Sequence, residues 1–210
     1  MILYATDLSS YSLKVRLAAA LKGIALETKA PPEGYRSAAY RALVPAGTVP
    51  ALVDGDFTLA ESDTIIEYLE DRFPARPLLP ADPRGRAQAR FLARLHDFRF
   101  EPKLRACFGL VATRQAPPEI ETALDAALGL IEASIDADGP FAIGAAPGLA
   151  DCAYPASFAI LDALTPVFGW RLAPRPRVAR WRAALAGHTV FESLLGPYRQ
   201  AIAAWIESKS

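Results

Sequence analysis

The chain has 210 residues, 52% of them hydrophobic, which is enough for one large globular domain or two small ones with real cores. Its 23 Lys and Arg balance 23 Asp and Glu, so the formal charge of zero excludes a whole-molecule field for nucleic acid or an anionic membrane, and we predict neither partner. No apolar run approaches the ~18 residues that span a bilayer, and the first residues lack a leader pattern, so we predict a soluble cytoplasmic protein.

Strand and helix patterns alternate over the first 75 residues. They predict, in chain order, a strand at 2–5, a helix at 10–22, a strand at 26–29, a short helix at 37–43, strands at 51–53 and 57–59, and a helix at 62–73. Asp54 and Gly55 separate the last two strands, and this pair is typical of a two-residue turn with positive φ. We therefore expect a β-hairpin there.

The predicted helix at 10–22 carries one apolar stripe, because leucine recurs every four residues from Leu13 to Leu21. Lys14 and Lys22 are expected to face water on the other side of this helix. Gly23 follows the last periodic residue, which predicts the helix end.

The segment from residue 74 to residue 83 is rich in proline, which neither continues a helix nor donates to a strand ladder, so we place a linker there. Beyond it, alanine-rich patterns predict helices at 84–113, 118–138, 149–164, 174–186 and 190–207. The predicted organisation is a mixed α/β domain over 1–75, a linker over 76–85 and an all-helical domain over 86–210.

The cysteines and histidines offer no site of their own. Cys107 and Cys152 lie far apart without metal-like spacing, which fits a reducing compartment and two small buried hydrophobes. His96 and His188 are isolated in the sequence. We therefore predict no His-based catalytic triad and no metal site.

Hydroxyl side chains gather where the first helix begins, at Ser9, Ser10, Tyr11 and Ser12. A single serine is enough to cap a helix by accepting a hydrogen bond from a backbone N–H group. Three serines and a tyrosine exceed that need, which favours one hydroxyl that faces a cleft and donates to an anion that the helix dipole already attracts. Capping alone is the alternative interpretation.

Two features beside the predicted hairpin suit a short peptide ligand. Val49-Pro50 is a rigid step just before the hairpin, and Glu61 and Ser62 follow it at the start of the next helix. A helix N-terminus leaves backbone N–H groups without helical partners, so an anion is held there favourably. The stretch from 47 to 62 therefore predicts a site for a short peptide.

Three segments resemble the glutathione transferase superfamily. The first begins at Ser9 with Ser-Ser-Tyr-Ser-Leu-Lys-Val-Arg and is similar to the zeta-type motif Ser-Ser-Cys-Ser-x-x-Val-Arg. The second begins at Pro45 with Pro-Ala-Gly-Thr-Val-Pro-Ala-Leu, and the third begins at Glu61 with Glu-Ser-Asp-Thr-Ile-Ile-Glu-Tyr-Leu. Both match glutathione-site blocks shared across the superfamily. In the second half, Gly148 to Asp151 aligns with the family's helix-capping box, although Gly148 lacks the hydroxyl of that box.

The resemblance implies a fold and a ligand. The fold is a thioredoxin-like N-terminal domain followed by a helical C-terminal domain, with glutathione held between them as co-substrate. By the same resemblance, Ser9 is the hydroxyl that stabilises the glutathione thiolate, and Ser10 is the alternative.

The remaining glutathione contacts are also implied by the resemblance. Val49 offers its backbone to the cysteinyl part of glutathione, beside Pro50 in the cis form. Glu61 pairs with the ammonium of the γ-glutamyl end, and Ser62 takes its carboxylate through the hydroxyl and the N–H group.

Two positions depart from the zeta-type pattern. Tyr11 stands where that pattern has cysteine, so no nucleophilic or redox role is expected there. In zeta-type isomerases an arginine grips a dicarboxylate, and the equivalent place here falls at about Val167. Nearby arginines are candidates to replace it, although they equally suit a solvated face or an interface: Arg171, Arg175, Arg177, Arg180 and Arg182.

The predicted electrophile pocket contains Leu8, Tyr11, Arg94 and Phe98. The predicted function is a glutathione transferase, as in detoxification, in which a serine hydroxyl activates the thiol for addition to a small hydrophobic electrophile. The alternatives are a glutathione-dependent cis-trans isomerase of a maleyl-type dicarboxylate and a non-catalytic glutathione-fold interaction module. The resemblance also implies a homodimer.

Overall fold

The computed structural model describes residues 1–209. These residues divide into two compact units, Met1–Leu78 and the chain from Leu79 onward. Among the described residues, every helix is too short or too polar to cross a lipid bilayer.

The first unit, all of whose residues are described, forms a mixed sheet with helices. Its elements are, in chain order, β1 (Ile2–Tyr4), α1 (Ser10–Lys22), β2 (Glu27–Lys29), α2 (Ala38–Leu43), β3 (Ala51–Asp54), β4 (Phe57–Ala60) and α3 (Ser62–Arg72). The strand order is β2-β1-β3-β4, with β1 parallel to β2 and antiparallel to β3, and β3 antiparallel to β4. The predicted alternation of strands and helices is confirmed.

Apolar side chains from the sheet and from two helices form the core of this unit. Leu3 and Leu52 face each other across β1 and β3, and both are almost fully buried. Helices α1 and α3 pack together, and their leucines and isoleucines, among them Leu17 and Ile65, are inaccessible to solvent. Burial of one such side chain contributes about 1.5–3 kcal/mol.

The hairpin loop lies one residue later than predicted. Strand β3 continues through Asp54, which pairs with Phe57 at the start of β4, so the loop residues are Gly55 and Asp56. Gly55 has a φ of 65°, which glycine tolerates at no steric cost. A positive φ at the first loop position alone is typical of a type II′ turn.

The two lysines of α1 do not face water, and that prediction is wrong. Lys14 is fully buried and forms an ion pair with Asp63 of α3. Lys22 is also buried, and its Nζ lies 2.6 Å from Oε2 of Glu70. Gly23, with a φ of 71°, ends the helix as predicted.

The second unit is helical throughout its described regular elements. These are α4 (Pro83–Leu95), a π-helical segment (His96–Phe100), α5 (Glu101–Ala106), a 3-10 segment (Phe108–Thr113), α6 (Pro118–Ser134), α7 (Leu149–Ala153), α8 (Pro155–Phe168), α9 (Pro176–Gly187) and α10 (Thr189–Glu207).

Several predicted helices differ from those observed. The single helix expected over 84–113 is interrupted by the π and 3-10 segments, and Pro155 divides the helix expected over 149–164. Helix α4 begins inside the predicted linker, at Pro83, because Asp82 caps it by accepting a hydrogen bond from Gly85. Proline is tolerated at the first helical position, where its missing N–H group has no partner to lose.

A buried carboxylate organises the centre of the second unit. Asp151 accepts hydrogen bonds from the backbone N–H groups of Ala142 at 2.9 Å and Gly148 at 2.8 Å, and from Nε1 of Trp181 at 2.6 Å. Gly148 therefore retains the part of the capping box that needs no hydroxyl. Burial raises the pKa of Asp151 from 3.8 to about 6, against the opposing effect of its hydrogen bonds.

This pKa predicts a pH-dependent stability. The folded protein binds the Asp151 proton more tightly than the unfolded chain, so stability present below pH 3.8 is lost as the pH rises through about 6. The loss amounts to about 2 kcal/mol between pH 4 and pH 7. We expect Asp151→Asn to lack this component of the pH dependence, measured by urea unfolding of both proteins across that range. Parallel profiles for the two proteins would contradict the assignment.

Candidate functional site

The N-terminus of α1 places one serine hydroxyl where an anion is favoured. Ser9 is the N-cap residue, and its Oγ accepts a hydrogen bond from the backbone N–H of Ser12 at 3.1 Å. Because an alcohol accepts and donates at the same time, this cap leaves the hydroxyl proton available for another acceptor. The first turn of α1 contains no acidic residue, so the positive end of its dipole is not offset by a side chain there.

The neighbouring serines are less accessible. Ser10 is fully buried, and Ser12 is 1% exposed, whereas Ser9 retains 8% of its surface. Tyr11 is half-buried. Of these hydroxyl groups, the structure caps the helix with Ser9 and closes Ser10 off from solvent.

The segment before β3 contains the second predicted feature. The Val49–Pro50 peptide bond is cis, in agreement with the form implied by the resemblance. Val49 is half-buried and packs against a small cluster formed by Tyr40, Val44 and Ala51. Pro50 itself is buried.

Tyr40 anchors this segment, although the sequence patterns gave it no role. Its phenol donates a hydrogen bond to the carbonyl oxygen of Thr48 at 2.9 Å, one residue before Val49. The ring is inaccessible to solvent and meets Tyr4 edge-on, with centroids 5.5 Å apart. Burial, with a smaller contribution from Tyr4, raises the pKa of Tyr40 to about 12, so the phenol stays protonated near neutral pH.

The start of α3 has a rare backbone conformation and is held by an ion pair to α1. Glu61 has φ and ψ of 70° and 120°, a region that side-chain-bearing residues rarely adopt, and its side chain is exposed. Ser62, the first residue of the helix, is 5% exposed. The next residue, Asp63, is ion-paired with Lys14, so the start of α3 is tied to α1. Such backbone outliers cluster at functional sites.

Comparison with known proteins identifies the family. The sequence models described as "Glutathione S-transferase, N-terminal domain" and "Glutathione S-transferase, C-terminal domain" match residues 3–77 and 87–184. The maleylacetoacetate isomerase of Pseudomonas aeruginosa is 36% identical over 205 residues, covering 91% of this chain and 93% of that protein. The chain belongs to the glutathione S-transferase superfamily. A glutathione S-transferase of Triticum aestivum is 33% identical over 168 residues, covering 77% of this chain and 78% of that protein.

Other relatives place the chain within the superfamily. The solved structure of a bacterial maleylpyruvate isomerase of the zeta class superposes with a TM-score of 0.73 and 30% identity, covering 92% of this chain and 96% of that one. A Stringent starvation protein A homolog of Coxiella burnetii is 41% identical, but the match covers 44% of each chain. The prediction of a glutathione S-transferase enzyme that is similar to the zeta class is thus confirmed at the level of family and fold.

In this glutathione S-transferase superfamily member, the residues predicted for the electrophile pocket come from both units. Leu8 and Tyr11 are half-buried in the first unit. Arg94 and Phe98 are exposed in the second, where the Arg94 guanidinium lies 5.6 Å from the centre of the Phe98 ring. Their assignment to a pocket stays a prediction.

The arginine-rich segment around α9 is largely engaged inside the helical unit. Arg175 binds the carboxylate of Asp125 at 3.0 Å, and Arg182 binds that of Asp162 at 2.5 Å. Arg180 donates to the carbonyl oxygen of Asp136 at 2.9 Å. These contacts favour a structural role over replacement of the dicarboxylate clamp that is absent at Val167.

His96 contacts two polar side chains, one of which lies far from it in the sequence. Its Nδ1 lies 2.7 Å from Oδ1 of Asp97, and its Nε2 lies 2.8 Å from Oγ of Ser157. The three side chains share the order of a Ser-His-Asp triad. Because His96 and Ser157 are both inaccessible to solvent, a substrate has no access to this serine, and we interpret the array as a packing network. The adjacent Asp97 is visible in the sequence, but the contact with Ser157 is not.

The two cysteines are buried thiols. Cys107 donates to the carbonyl oxygen of Lys103 and Cys152 to that of Gly148, each at 3.4 Å. Burial raises the pKa of Cys107 from 9.0 to about 11, which makes it a poor nucleophile near neutral pH. Within residues 1–209, the His, Cys, Asp and Glu side chains form no cluster of three or more that suits a metal ion.

Proposed function

We propose that this protein is a glutathione transferase in which Ser9 stabilises the glutathione thiolate for addition to a small hydrophobic electrophile. Glutathione is the co-substrate. The observation that carries the proposal is the position of Ser9, whose hydroxyl caps α1 while its proton remains available to a thiolate at the positive end of the helix.

The free energy needed to ionise the thiol is similar to the free energy that a hydrogen bond from Ser9 and the N-terminus of α1 supply. A free thiol has a pKa of about 8.5 and is only a few per cent ionised near neutral pH. Lowering that pKa by ~2 units takes about 2.7 kcal/mol. A hydrogen bond to a charged group contributes about 1.5–3 kcal/mol, and a helix N-terminus adds about 0.3–1 kcal/mol. No general base is required, and the buried His96 takes no part.

The rest of the tripeptide has matching groups in the first unit. We assign the backbone of Val49 to the cysteinyl part, because Val49 is half-buried just before β3, where an extended peptide pairs in strand fashion. We assign Glu61 to the γ-glutamyl ammonium and the hydroxyl and N–H of Ser62 to the γ-glutamyl carboxylate. The exposed acid and the helix N-terminus supply opposite charges for these two groups. Ser10, fully buried, is not part of this proposal.

A second candidate is a glutathione-dependent cis-trans isomerase of a maleyl-type dicarboxylate. It is supported by the maleylacetoacetate isomerase and the zeta-class maleylpyruvate isomerase, each at least 30% identical and matched over more than nine tenths of this chain. Tyr11 and Val167 weigh against it, since they replace the cysteine and the clamping arginine of the zeta-type pattern. Thiolate formation at Ser9 is the shared first step, so both activities test the same site.

Glutathione titration tests the proposal directly. Calorimetry measures uptake of the tripeptide, and the ultraviolet absorbance of bound thiolate gives the pKa of its thiol as the pH is varied. We expect binding and a bound-thiol pKa lowered by about 2 units. A bound thiol that titrates like the free one would instead indicate the non-catalytic interaction module. Product assays with halogenated nitroaromatic, epoxide, peroxide and maleyl-type substrates then separate transferase from isomerase.

A homodimer and a cytoplasmic location complete the proposal. Phe91 is a large apolar side chain that is 48% exposed, which fits a surface covered by a second copy. The reduced thiols of Cys107 and Cys152 fit a reducing compartment. A sedimentation mass of one chain would contradict the dimer.

A further inference from the structure

We propose that Tyr40 is a positioning residue for glutathione, which holds the Val49 backbone ready to pair with the cysteinyl part of the tripeptide. This inference rests on the proposed function and extends it to a side chain outside the resembling segments. Tyr40 acts through Thr48 and Val49 and does not itself touch the ligand.

The segment between α2 and β3 is held by a short series of hydrogen bonds. At its start, the N–H of Val44 donates to the carbonyl oxygen of Tyr40, and the N–H of Gly47 donates to that of Val44, both at 2.8 Å. At its end, the Tyr40 phenol donates to the carbonyl oxygen of Thr48 at 2.9 Å. One residue of α2 therefore fixes both ends of the loop that precedes Val49.

The position of the Tyr40 ring is itself fixed. The side chain is inaccessible to solvent, and its ring packs edge-on against Tyr4 of β1. Val49 packs against the same cluster, together with Val44. Because the packed ring holds its phenol in place, the phenol sets the position of the Thr48 carbonyl group. That carbonyl is part of the peptide bond to Val49, so the Val49 backbone is positioned with it.

Removal of the phenol oxygen would change how the loop is ordered before glutathione arrives. In Tyr40→Phe the ring and its packing remain, but the Thr48 carbonyl loses its anchor and the loop samples more conformations. Binding then has to restore the productive geometry, which lowers affinity without changing the contacts in the complex. We expect the Kd for glutathione to rise about five- to tenfold.

The chain offers a matched control in its helical unit. Tyr154 is also inaccessible to solvent, and its phenol donates to the carbonyl oxygen of Leu92 at 2.7 Å. Tyr154→Phe therefore removes the same kind of buried hydrogen bond at a distance from the proposed glutathione residues in sequence. We expect both variants to lose similar thermal stability, but only Tyr40→Phe to lose affinity for glutathione.

The experiment compares the wild type, Tyr40→Phe and Tyr154→Phe by calorimetry with glutathione, by steady-state kinetics and by hydrogen exchange of the segment 44–49. We expect Tyr40→Phe to raise KM for glutathione at unchanged kcat and unchanged bound-thiol pKa, and to exchange faster in that segment without ligand. Equal affinities of the wild type and Tyr40→Phe, or equal losses in both variants, would overturn the inference alone. Absence of glutathione uptake by the wild type would overturn the proposed function and this inference with it.

Discussion

Replacement of Ser9 by alanine is expected to lower turnover at pH 7 by more than tenfold while glutathione still binds. Without the hydroxyl, the bound thiol returns toward a pKa of about 8.5, and the thiolate fraction at pH 7 falls from roughly three quarters to about 3%. The tripeptide retains its proposed contacts with Val49, Glu61 and Ser62. The kinetic result is therefore a loss in kcat with a much smaller change in KM.

The pH dependence gives this prediction a second measurement. Above the pKa of the free thiol, the bound thiol of the variant ionises without help, so the difference from the wild type should nearly vanish by about pH 9.5. Pre-steady-state or steady-state rates over that range, with thiolate absorbance measured on the same samples, show whether turnover follows ionisation. A variant that stays impaired at high pH would place Ser9 in a role other than thiol ionisation.

Ser9→Ala also removes a helix cap, so its structural cost has to be separated from its chemical one. An N-cap is worth about 1 kcal/mol of stability. Asp82→Ala removes the cap of α4, where the Asp82 carboxylate accepts from Gly85, and should cost a similar amount without changing the thiol pKa. Ser9→Thr retains both cap and hydroxyl and should keep most of the activity. Equal activity of Ser9→Ala and the wild type would remove Ser9 from the mechanism.

The parts of the site that follow from local sequence were predictable. A hydroxyl at a helix start, a Val-Pro step and an acid before a helix are each contained within a few consecutive residues, and the structure puts Ser9, Pro50 and Glu61 at those local positions. Their roles toward glutathione stay predictions. Tyr40 was not found, because its hydrogen bond to Thr48 depends on how α2 packs on the sheet. An aromatic residue in a short helix is indistinguishable from core packing by periodicity alone.

The errors share one physical origin. Whether a polar side chain is buried or exposed depends on partners that are distant in the sequence. Lys14 and Lys22 were predicted to face solvent, because the carboxylates that pair with them lie on α3. The sequence pattern of one helix contains no information about the helix packed beside it. Similarly, His96 meets Ser157 only through the packing of α8 beside the π segment. The π segment itself was invisible, since a local change from i−4 to i−5 hydrogen bonding leaves no periodic signature.

The buried pair of Lys22 and Glu70 is expected to produce the largest stability effect in the first unit. Lys22 donates to Glu70 Oε2 at 2.6 Å and to the carbonyl oxygen of Arg76 at 2.9 Å, while both Glu70 oxygens accept from the N–H of Leu78 at 3.0 Å. This one pair therefore connects the end of α1, the body of α3 and the chain that follows α3. We expect Lys22→Met to cost about 3–5 kcal/mol, because it leaves a carboxylate buried without its cation.

A double-mutant cycle distinguishes this ionic contribution from simple loss of packing. Glu70→Gln keeps an acceptor for the Leu78 N–H and removes the charge, so Lys22→Met combined with Glu70→Gln should cost clearly less than the two single variants together. Lys29→Met is the matched control, since Lys29 pairs with Glu27 at 2.9 Å but both side chains are about half exposed or more. It should change the free energy of unfolding by less than about 1 kcal/mol, measured by urea denaturation. Additive costs in the cycle would show that Lys22 and Glu70 stabilise the unit independently, and that their ion pair does not join α1 to α3.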